Sequence, residues 1–503
     1  MTNQTGPKSR EGISPAKNLF LFIIFAAAIL AVHAPYLRLP YFWDELGQFV
    51  PTALDIERSG AWIPHSAAPN VHPPGVMAYL ALAWYAAGYS VLKTRVAMLL
   101  IAALGLLLLY LLAIELCPTL RGPPAFFVTT LLFISPLFYI QAMLAQLDMP
   151  AMVLTMLSLL LFLKRRYKAA AIACTLLVLV KETGLVAPGL FMLWLVFRER
   201  RIREASYFVA PFVALAVWLV VLKHATGFWL GNPDFTRFNV TYALHPVRVV
   251  TTFLCRLYYL FVAEFRWAGT LVVVIALWKS RVFSTPRWTV LGMFAVLHIT
   301  VVSLFGGAEL DRYVLPLLPM VYISFAAAWA LYAPMWRRMS VLIVVIGLLA
   351  GFIWDSPFPS QLENNLAMVD FIHLQQAAAG FLDEHPPNGP VASAFPFTQA
   401  LADPLFGYVR RPLPTMETND FQSAHIAAAI DPATAGDLVI YTRTWEPRWR
   451  ILRWPAYIAF LRRYYEYEPQ ISDEEIRARF GFVRAARWDL HGQWIEVYSN
   501  PRR

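Results

Sequence analysis

Apolar runs separated by short polar segments dominate the first 355 residues of the chain. Leu19–Leu37 is an uncharged run of about the length that a bilayer requires. It is longer than the apolar core of a signal peptide, and no small-residue cleavage site follows, so we expect it to stay as a helix. Further runs follow at 73–92, 95–117, 123–145, 149–163, 169–180, 184–197, 204–223, 249–278, 288–305, 313–333 and 340–354.

Clusters of basic residues between these runs indicate how the helices cross the membrane, because positive loops stay on the cytoplasmic side. For the loops to alternate between the two sides of the membrane, the 73–92 run must make no net crossing. The 249–278 run must cross once, as a helix broken near Glu264. This predicts about eleven spans, and at most about thirteen, with the N-terminus inside. The clusters are Lys164-Arg165-Arg166 with Lys168, Arg198 to Arg203, Lys279 with Arg281 and Arg287, and Arg337-Arg338.

Polar and charged residues return after residue 355, and no later run is long enough to span. Asn364–Glu384 has apolar residues at helical spacing, which predicts an amphipathic helix. Short strands are predicted at Pro390–Ala394, Asp437–Thr442 and Trp494–Tyr498. We therefore expect a mainly α, polytopic transmembrane helix bundle followed by a small extracytoplasmic α/β domain. The predicted divisions are a cytoplasmic tail at 1–18, a membrane domain at 19–355 with a first outer loop at about 38–94, and an outer domain at 356–503.

The composition supports this assignment. Hydrophobic residues make up 58% of the chain and charged residues 15%, whereas a soluble domain is about 45–50% apolar and about 25% charged. These values exclude a soluble enzyme, a disordered chain and a disulfide scaffold. The net charge of +10 lies largely in the basic clusters rather than in a stripe, so no nucleic-acid partner is expected. Cys117, Cys174 and Cys255 are predicted to be small core residues.

Two isolated groups of carboxylates lie beside predicted spans. Asp44 and Glu45 directly follow the first run, and ionised side chains close to lipid are costly unless they have a partner or a function. Asp44 could instead cap a helix over 45–57. Asp148 stands alone between two apolar runs, where it could simply cap the helix that opens at Met149-Pro150.

Three further motifs fall on the same predicted outer side. His72 precedes Pro73-Pro74, which is also a common way to begin a helix. Lys181-Glu182 lies at the tip of a tight hairpin, where the lysine could meet a phosphate or the two charges could neutralise each other. Arg312-Tyr313 opens the 313–333 run, where such a pair also serves as an interfacial anchor.

These residues are more informative as a set, because they meet at one face of a bundle with few other polar groups. Carboxylates there could activate an acceptor hydroxyl, and cations could hold an anionic leaving group. That combination suits transfer from a phosphate-linked donor.

An ordered set of short motifs carries a family resemblance. They are WDE at 43–45, HPP at 72–74, SP at 135–136 followed by LD at 147–148, LVKETGL at 179–185 and RYVLPLLP at 312–319. In these the chain resembles the GT-C superfamily of integral-membrane glycosyltransferases. It is most similar to the glycosyltransferase family 39-like branch, with the protein O-mannosyltransferases and the lipid A aminoarabinose transferases. The resemblance covers roughly 19–355 and extends to FPF at 395–397 and GYVRRPL at 407–413.

The resemblance implies a GT-C bundle in the cell membrane that takes a sugar from a polyprenyl-phosphate carrier on the outer side. The sugar passes, with inversion, to an acceptor that is a protein, a lipid or a glycan. Asp44 matches the family's general base, Glu45 its partner, and Asp148 the second acid that shapes the site. The residues implied to hold the donor phosphate are Lys181, Arg312 and Tyr313, and those of the substrate loop are His72 and Glu182.

The chain departs from the aminoarabinose enzymes at His72, where those enzymes carry an acid and a lysine. The departure argues against lipid A as the acceptor and against a metal site borrowed from that branch. No metal ligand is predicted, and a divalent cation stays open as a cofactor.

Two other classes of membrane protein remain alternatives. A transporter would show charges in mid-span and two related halves, and a lipid-linked oligosaccharide polymerase or ligase would place its DE and RY motifs differently.

Overall fold

The computed structural model describes residues 14–120, 122–305, 309–354, 361–431, 434–443 and 450–501. Lys8 and Arg10 of the predicted tail lie outside these residues, and so does the predicted domain boundary at 355 and 356. The helices before residue 355 are α1 Pro15–His33, α2 Val50–Ser59, α3 Gly75–Ala87, α4 Val91–Leu116, α5 Pro123–Phe133, α6 Pro136–Met143, α7 Asp148–Leu163, α8 Tyr167–Val180, α9 Val186–Leu193, α10 Ile202–Ala205, α11 Ala210–Thr226, α12 Pro233–Thr236, α13 Pro246–Phe261, α14 Trp267–Lys279, α15 Pro286–Leu304, α16 Leu318–Trp329 and α17 Pro334–Ala350.

Local sequence signals begin the long helices. The Ser14 hydroxyl accepts a hydrogen bond from the backbone N–H of Lys17 (3.3 Å), and Pro15 takes the first position of α1. The Ser90 hydroxyl accepts from the backbone N–H of Lys93 (3.2 Å) at the start of α4. Helix α4 is the central element of the bundle and packs against α1, α5 and α7.

Two apolar runs are each divided into two helices by a local change in the backbone. Helices α5 and α6 meet at a 71° bend at Ser135-Pro136, where proline removes a backbone donor. The 249–278 run divides into α13 and α14 with Glu264 in the connection. Both Glu264 and Phe265 there adopt a left-handed backbone, with φ values of 52° and 56°. The predicted break near Glu264 is therefore confirmed.

Within the described residues, five helical segments are long and apolar enough to cross a membrane, or six if α5 and α6 form one bent span. The segments are Pro15–Tyr36, Val91–Leu116, Ile202–Thr226, Pro286–Leu304 and Asp311–Trp329. Helices α3, α7, α8 and α14 are apolar but shorter. The molecule is thus a mainly helical bundle with several apolar helices. The total of about eleven spans and the orientation of the N-terminus remain predictions.

The C-terminal part of the chain contains a five-stranded sheet. Its strands are β1 Val391–Ala394, β2 Thr415–Thr418, β3 Asp437–Tyr441, β4 Val483–Leu490 and β5 Gln493–Ser499, in the spatial order β2-β1-β3-β5-β4. Strand β1 is parallel to β2 and β3, and β5 is antiparallel to β3 and β4. The helices are α18 Ala367–Glu384, α19 Phe397–Ala402, α20 Ser423–Ala429, α21 Pro455–Tyr465 and α22 Asp473–Glu475.

The predicted elements of this region are confirmed, since α18, β1, β3 and β5 lie where the sequence places them. Strands β2 and β4 were not predicted. In β4 partly buried and exposed positions alternate only from Ala486 to Leu490, and none of its residues is fully buried, so its strand pattern is short and weak.

The sheet region rests directly on the segment between α1 and α4. The Tyr408 hydroxyl donates to the carbonyl of Tyr41 (2.7 Å), and the Tyr89 hydroxyl donates to the carbonyl of Leu405 (2.7 Å). Phe371 of α18 packs against Trp43, with 5.8 Å between the ring centroids. These contacts place the loop that carries Asp44 between the bundle and the sheet.

The prediction for the cysteines is correct for two of the three. Cys117 and Cys174 are buried, whereas Cys255 is exposed and the prediction of a core position for it is wrong. Helix α13 buries Thr252, Arg256 and Tyr259, and Cys255 lies at the exposed edge of that face. In a membrane helix a lipid-facing position is as apolar as a core position, so composition alone does not distinguish the two.

Candidate active site

Arg312 lies at the centre of the candidate site, in the turn that leads into α16. Its side chain is buried and makes ion pairs with three carboxylates. Nη1 lies 3.1 Å from Glu363 Oε2 and Nε lies 3.3 Å from Asp148 Oδ2. Nη2 donates to Asp44 Oδ2. Arg312 thus brings together acids that are up to 319 residues apart in the chain (363 minus 44).

Lys181 adds a second cation to this cluster. Its Nζ donates to Asp148 Oδ1 at 2.5 Å and lies 4.2 Å from the centroid of the Tyr313 ring. Three carboxylates therefore face two cations, an excess of one negative charge if all are ionised. Burial raises the pKa of Glu363 to about 7 against the opposing effect of Arg312. Near neutral pH this carboxyl group can therefore carry the excess proton.

Asp44 and Glu45 are adjacent in the chain but point to different partners. Glu45 is fully buried, and its carboxylate lies 2.5 Å from Nη1 and 3.0 Å from Nη2 of Arg95. It also accepts from the backbone N–H groups of Phe42 (2.8 Å) and Ala145 (2.5 Å). Glu45 therefore joins the segment between α1 and α2 to α4 and to the segment before α7. Asp44, one residue earlier, is left facing Arg312.

His72 and Glu182 form a second pair beside the first. His72 Nδ1 lies 2.8 Å from Glu182 Oε2, and the His72 ring packs edge-on against Phe235. Burial alone would raise the pKa of Glu182, but His72 and Lys181 outweigh it and the pKa lies at about 2. This ion pair holds the segment between α2 and α3 against the turn that carries Lys181.

The simpler structural interpretations of these residues do not describe their contacts. The side chains of Asp44 and Asp148 cap no helix in the structure. Lys181 and Glu182 do not neutralise each other, because Lys181 pairs with Asp148 and Glu182 with His72. Arg312 is 5% exposed, which is too buried for an interfacial anchor.

A small cavity opens beside the cluster. It is lined in part by Asp148, Lys181, His298 and Tyr313, and His298 Nε2 lies 2.9 Å from the carbonyl oxygen of Tyr313. Its volume is about 10 Å³, which is roughly the space that one water molecule needs. A substrate group can bind there only if side chains around the cavity move.

The structure also identifies residues that sequence reasoning missed. Glu363 was absent from the predicted site because it falls in the polar segment after the last apolar run. Arg95 stands at the edge of an apolar run, and nothing local connects it with Glu45. An uncompensated charge at a helix end is the one signal that could have drawn attention to Arg95. In the described part of the chain, no group of three or more His, Cys, Asp or Glu side chains is arranged to hold a metal ion.

Comparison with solved structures identifies the fold. The structure of ArnT from Cupriavidus metallidurans bound to undecaprenyl phosphate matches with a TM-score of 0.52 and 15% sequence identity, over 96% of this chain and 98% of that chain. The apo structure of the same protein matches with a TM-score of 0.53 and 14% identity over the same shares. The chain therefore has the fold of ArnT. This likeness in fold covers the helical bundle and its several apolar helices.

The likeness to ArnT is one of three-dimensional structure. No family model matches the sequence, and no curated protein matches it. At about 15% identity the likeness to ArnT establishes the fold alone, so activity has to be argued from the residues of the site.

Glu363→Gln should change how stability depends on pH. Because burial raises the pKa of Glu363 from 4.5 to about 7, the folded state binds an additional proton between these values. The resulting stabilisation is full below about pH 4.5 and is lost as the pH rises through 7. Thermal unfolding of the wild type and of Glu363→Gln between pH 4.5 and 8 measures this. The wild type should lose stability relative to the variant across that window, and parallel pH curves would contradict the assignment.

Proposed function

We propose that the protein is a membrane glycosyltransferase that moves a sugar from a polyprenyl-phosphate-linked donor to an acceptor hydroxyl on the outer side of the membrane. The observation that supports this most strongly is the convergence of Asp44, Asp148, Lys181 and Arg312 at one end of a GT-C bundle. The ArnT structure with the same fold holds undecaprenyl phosphate, which agrees with a lipid phosphate as the donor.

In the proposed reaction one displacement at the anomeric carbon transfers the sugar. The acceptor oxygen forms the new bond to that carbon while the bond to the phosphate oxygen breaks, and the configuration inverts. Asp44 accepts the proton of the acceptor hydroxyl as general base. The lipid phosphate leaves as an anion, and buried cations offset the negative charge that develops on it.

Asp44 can act as a base only when its carboxylate is released from Arg312, because the two are paired in the structure. We propose that Asp148 and Glu363 keep Arg312 neutralised during this exchange, since both remain within ion-pair distance of it. Glu45 then has a positioning role, because its contacts with Arg95 hold Asp44 in place. His72 and Glu182 position the turn that carries Lys181.

The cation that offsets the leaving phosphate has to be free of carboxylates when the donor is bound. Lys181 has a single carboxylate partner, whereas Arg312 has three. Lys181 is therefore the better placed of the two residues for this role. The sheet region, which covers the loop of Asp44, would then bound the acceptor side of the site.

Deletion of the gene should make one polyprenyl-phosphate sugar accumulate and one envelope glycan disappear. Mass spectrometry of membrane lipids and envelope glycans identifies both, and thereby the donor sugar and the class of acceptor. Complementation with the wild type should restore both pools, whereas Asp44→Asn should not. Unchanged lipid and glycan pools in the deletion strain would contradict the proposed function.

A further inference from the structure

Trp43, which directly precedes Asp44, has a backbone conformation that a bulky residue rarely adopts. Its φ is 48°, in the left-handed region. Arg165 and Arg200 share this conformation, but each follows the end of a helix, where a left-handed residue is ordinary. Trp43 instead lies before the helical turn Glu45–Phe49. A residue keeps such a conformation only where its surroundings enforce it, and such residues cluster at functional sites.

The indole ring of Trp43 is held by three elements of the C-terminal part of the chain. Phe371 of α18 and Phe395, between β1 and α19, each lie 5.8 Å from it, measured between ring centroids. The guanidinium carbon of Arg443, which follows β3, lies 5.6 Å from the centroid of the indole. Because β1 and β3 are parallel neighbours, Phe395 and Arg443 lie at the same edge of the sheet. That edge therefore faces the segment that carries Asp44.

The two residues at this edge of the sheet are also joined to each other. The Phe395 carbonyl accepts a hydrogen bond from Arg443 Nη1 (3.4 Å). The Phe395 ring lies so close to Gly47 that any side chain there would collide with it unless the ring moved. The C-terminal part of the chain thus contacts the segment on both sides of Asp44, at Trp43 and at Gly47.

Asp44 needs an anchor that does not depend on Arg312. In the proposed reaction its carboxylate leaves Arg312 to accept the proton of the acceptor hydroxyl, so this ion pair does not fix the carboxylate during transfer. A general base has to lie within about 3 Å of the atom that loses the proton. The bonds of Glu45 fix the backbone toward the bundle. The contacts of Trp43 fix it toward the sheet.

We propose that Trp43 is a positioning residue that directs Asp44 toward the acceptor hydroxyl. The inference rests on the proposed function and extends it, because the C-terminal part of the chain then takes part in the transfer step as well as covering the site. It does so through the contacts of Phe371, Phe395 and Arg443 with the indole ring. A contact that only stabilised the fold would explain the packing of the ring. It would not explain the costly backbone conformation at the residue before the base.

The test follows sugar transfer by the purified full-length protein in detergent-solubilised membranes of the deletion strain, which hold the accumulated donor lipid and the unmodified acceptor. Donor lipid purified from the same strain is varied to separate kcat from KM. Trp43→Ala should lower kcat by about 100-fold, the loss expected from a misplacement of about 1 Å, and leave the KM for the donor unchanged. Trp43→Phe keeps an aromatic ring among the same neighbours and should restore most of kcat.

Two comparisons separate positioning from damage to the fold. Trp488→Ala is the matched control, because Trp488 of β4 packs against Phe381 of α18 with 5.8 Å between the ring centroids. It should lower the unfolding temperature and leave kcat unchanged. In the Asp44→Asn background, Trp43→Ala should cause no further loss of activity, because the base that Trp43 positions is absent. Damage to the fold would instead add to the loss in Asp44→Asn.

The results that would overturn the inference are distinct from failure of the proposed function. If Trp43→Ala keeps the wild-type kcat while Asp44→Asn loses activity, the inference is wrong and the proposed function stands. A raised KM with an unchanged kcat in Trp43→Ala would assign the ring to substrate binding and also overturn the positioning role. Arg443→Met removes one of the three contacts and should lower kcat by less than Trp43→Ala does. If Trp43→Ala does not fold, a folded Arg443→Met with wild-type kcat overturns the inference. If the wild type transfers no sugar, the proposed function itself fails.

Discussion

Asp44→Asn should lower the rate of sugar transfer by about a thousand-fold, within the range that a general base contributes, while the protein stays folded. The reason for the intact fold is the charge balance around Arg312. Three carboxylates face Arg312 and Lys181, so the amide removes the excess negative charge and leaves two of each sign. The measurement is the transfer rate of purified protein in nanodiscs, together with its thermal unfolding.

Glu363→Gln is the matched control for this prediction. Glu363 and Asp44 both pair with Arg312, so each substitution replaces one carboxyl partner of the same guanidinium with an amide. If Asp44 is the base, Asp44→Asn should lose far more activity than Glu363→Gln. Equal losses would mean that Asp44 acts only through its charge. A large loss in Glu363→Gln with an active Asp44→Asn would transfer the role of base to Glu363.

A second expected effect of Asp44→Asn is a change in the pKa of Glu363. The negative charge of Asp44 is one of the causes that raise the pKa of Glu363. In Asp44→Asn that pKa should therefore fall below about 7, and the loss of stability with rising pH should shift to a lower pH. An unshifted curve would show that the two carboxylates do not interact in the protein.

Much of the site was predictable because a polar residue at the end of an apolar run is conspicuous. Asp44, Asp148, Lys181 and Arg312 stood out for this reason, and the structure places them within one cluster. The adjacency of Asp44 and Glu45 in the chain was less informative. Asp44 and Glu45 were expected to act as a pair, yet the structure directs them to Arg312 and Arg95 respectively.

Residues that depend on long-range pairing could not be predicted in the same way. Glu363 reaches Arg312 across 51 positions, and Arg95 reaches Glu45 across 50. No periodic pattern records such a pairing, because it arises only when helices pack.

The number of spans is uncertain from sequence for a related physical reason. Helices such as Gly75–Ala87 and Trp267–Lys279 are apolar but have only 13 residues each. At 1.5 Å per residue each spans about 20 Å, which is short for a bilayer core of about 30 Å. Composition marks such a segment as apolar but does not say whether it crosses.

Breaking the ion pair between Glu45 and Arg95 should destabilise the protein more than any other change considered. Both side chains are fully buried, and the carboxylate also accepts two backbone N–H groups. Replacing Glu45 with Gln or Arg95 with Met leaves one charge without its partner, at a cost of about 3–5 kcal/mol. Thermal or denaturant unfolding in nanodiscs measures the loss.

The double variant Glu45→Leu with Arg95→Met separates the fold from the site. Because neither charge then remains, the double variant should be more stable than the summed losses of the two single variants predict. Transfer should not recover, because the bonds from the carboxylate of Glu45 to Phe42 and Ala145, which hold the loop of Asp44, are lost. Full recovery of both properties would show that Glu45 contributes charge balance and no positioning.

The control for this cycle is the pair of Arg287 and Glu115, whose side chains are 29% and 18% exposed. Water can replace either partner there, so Glu115→Gln should cost less than about 1 kcal/mol. A cost for Glu45→Gln as small as that would mean that water reaches the segment between α1 and α2 in the folded protein. Asp44 would then lie in a solvated loop, and the general-base assignment would lose the fixed geometry on which it depends.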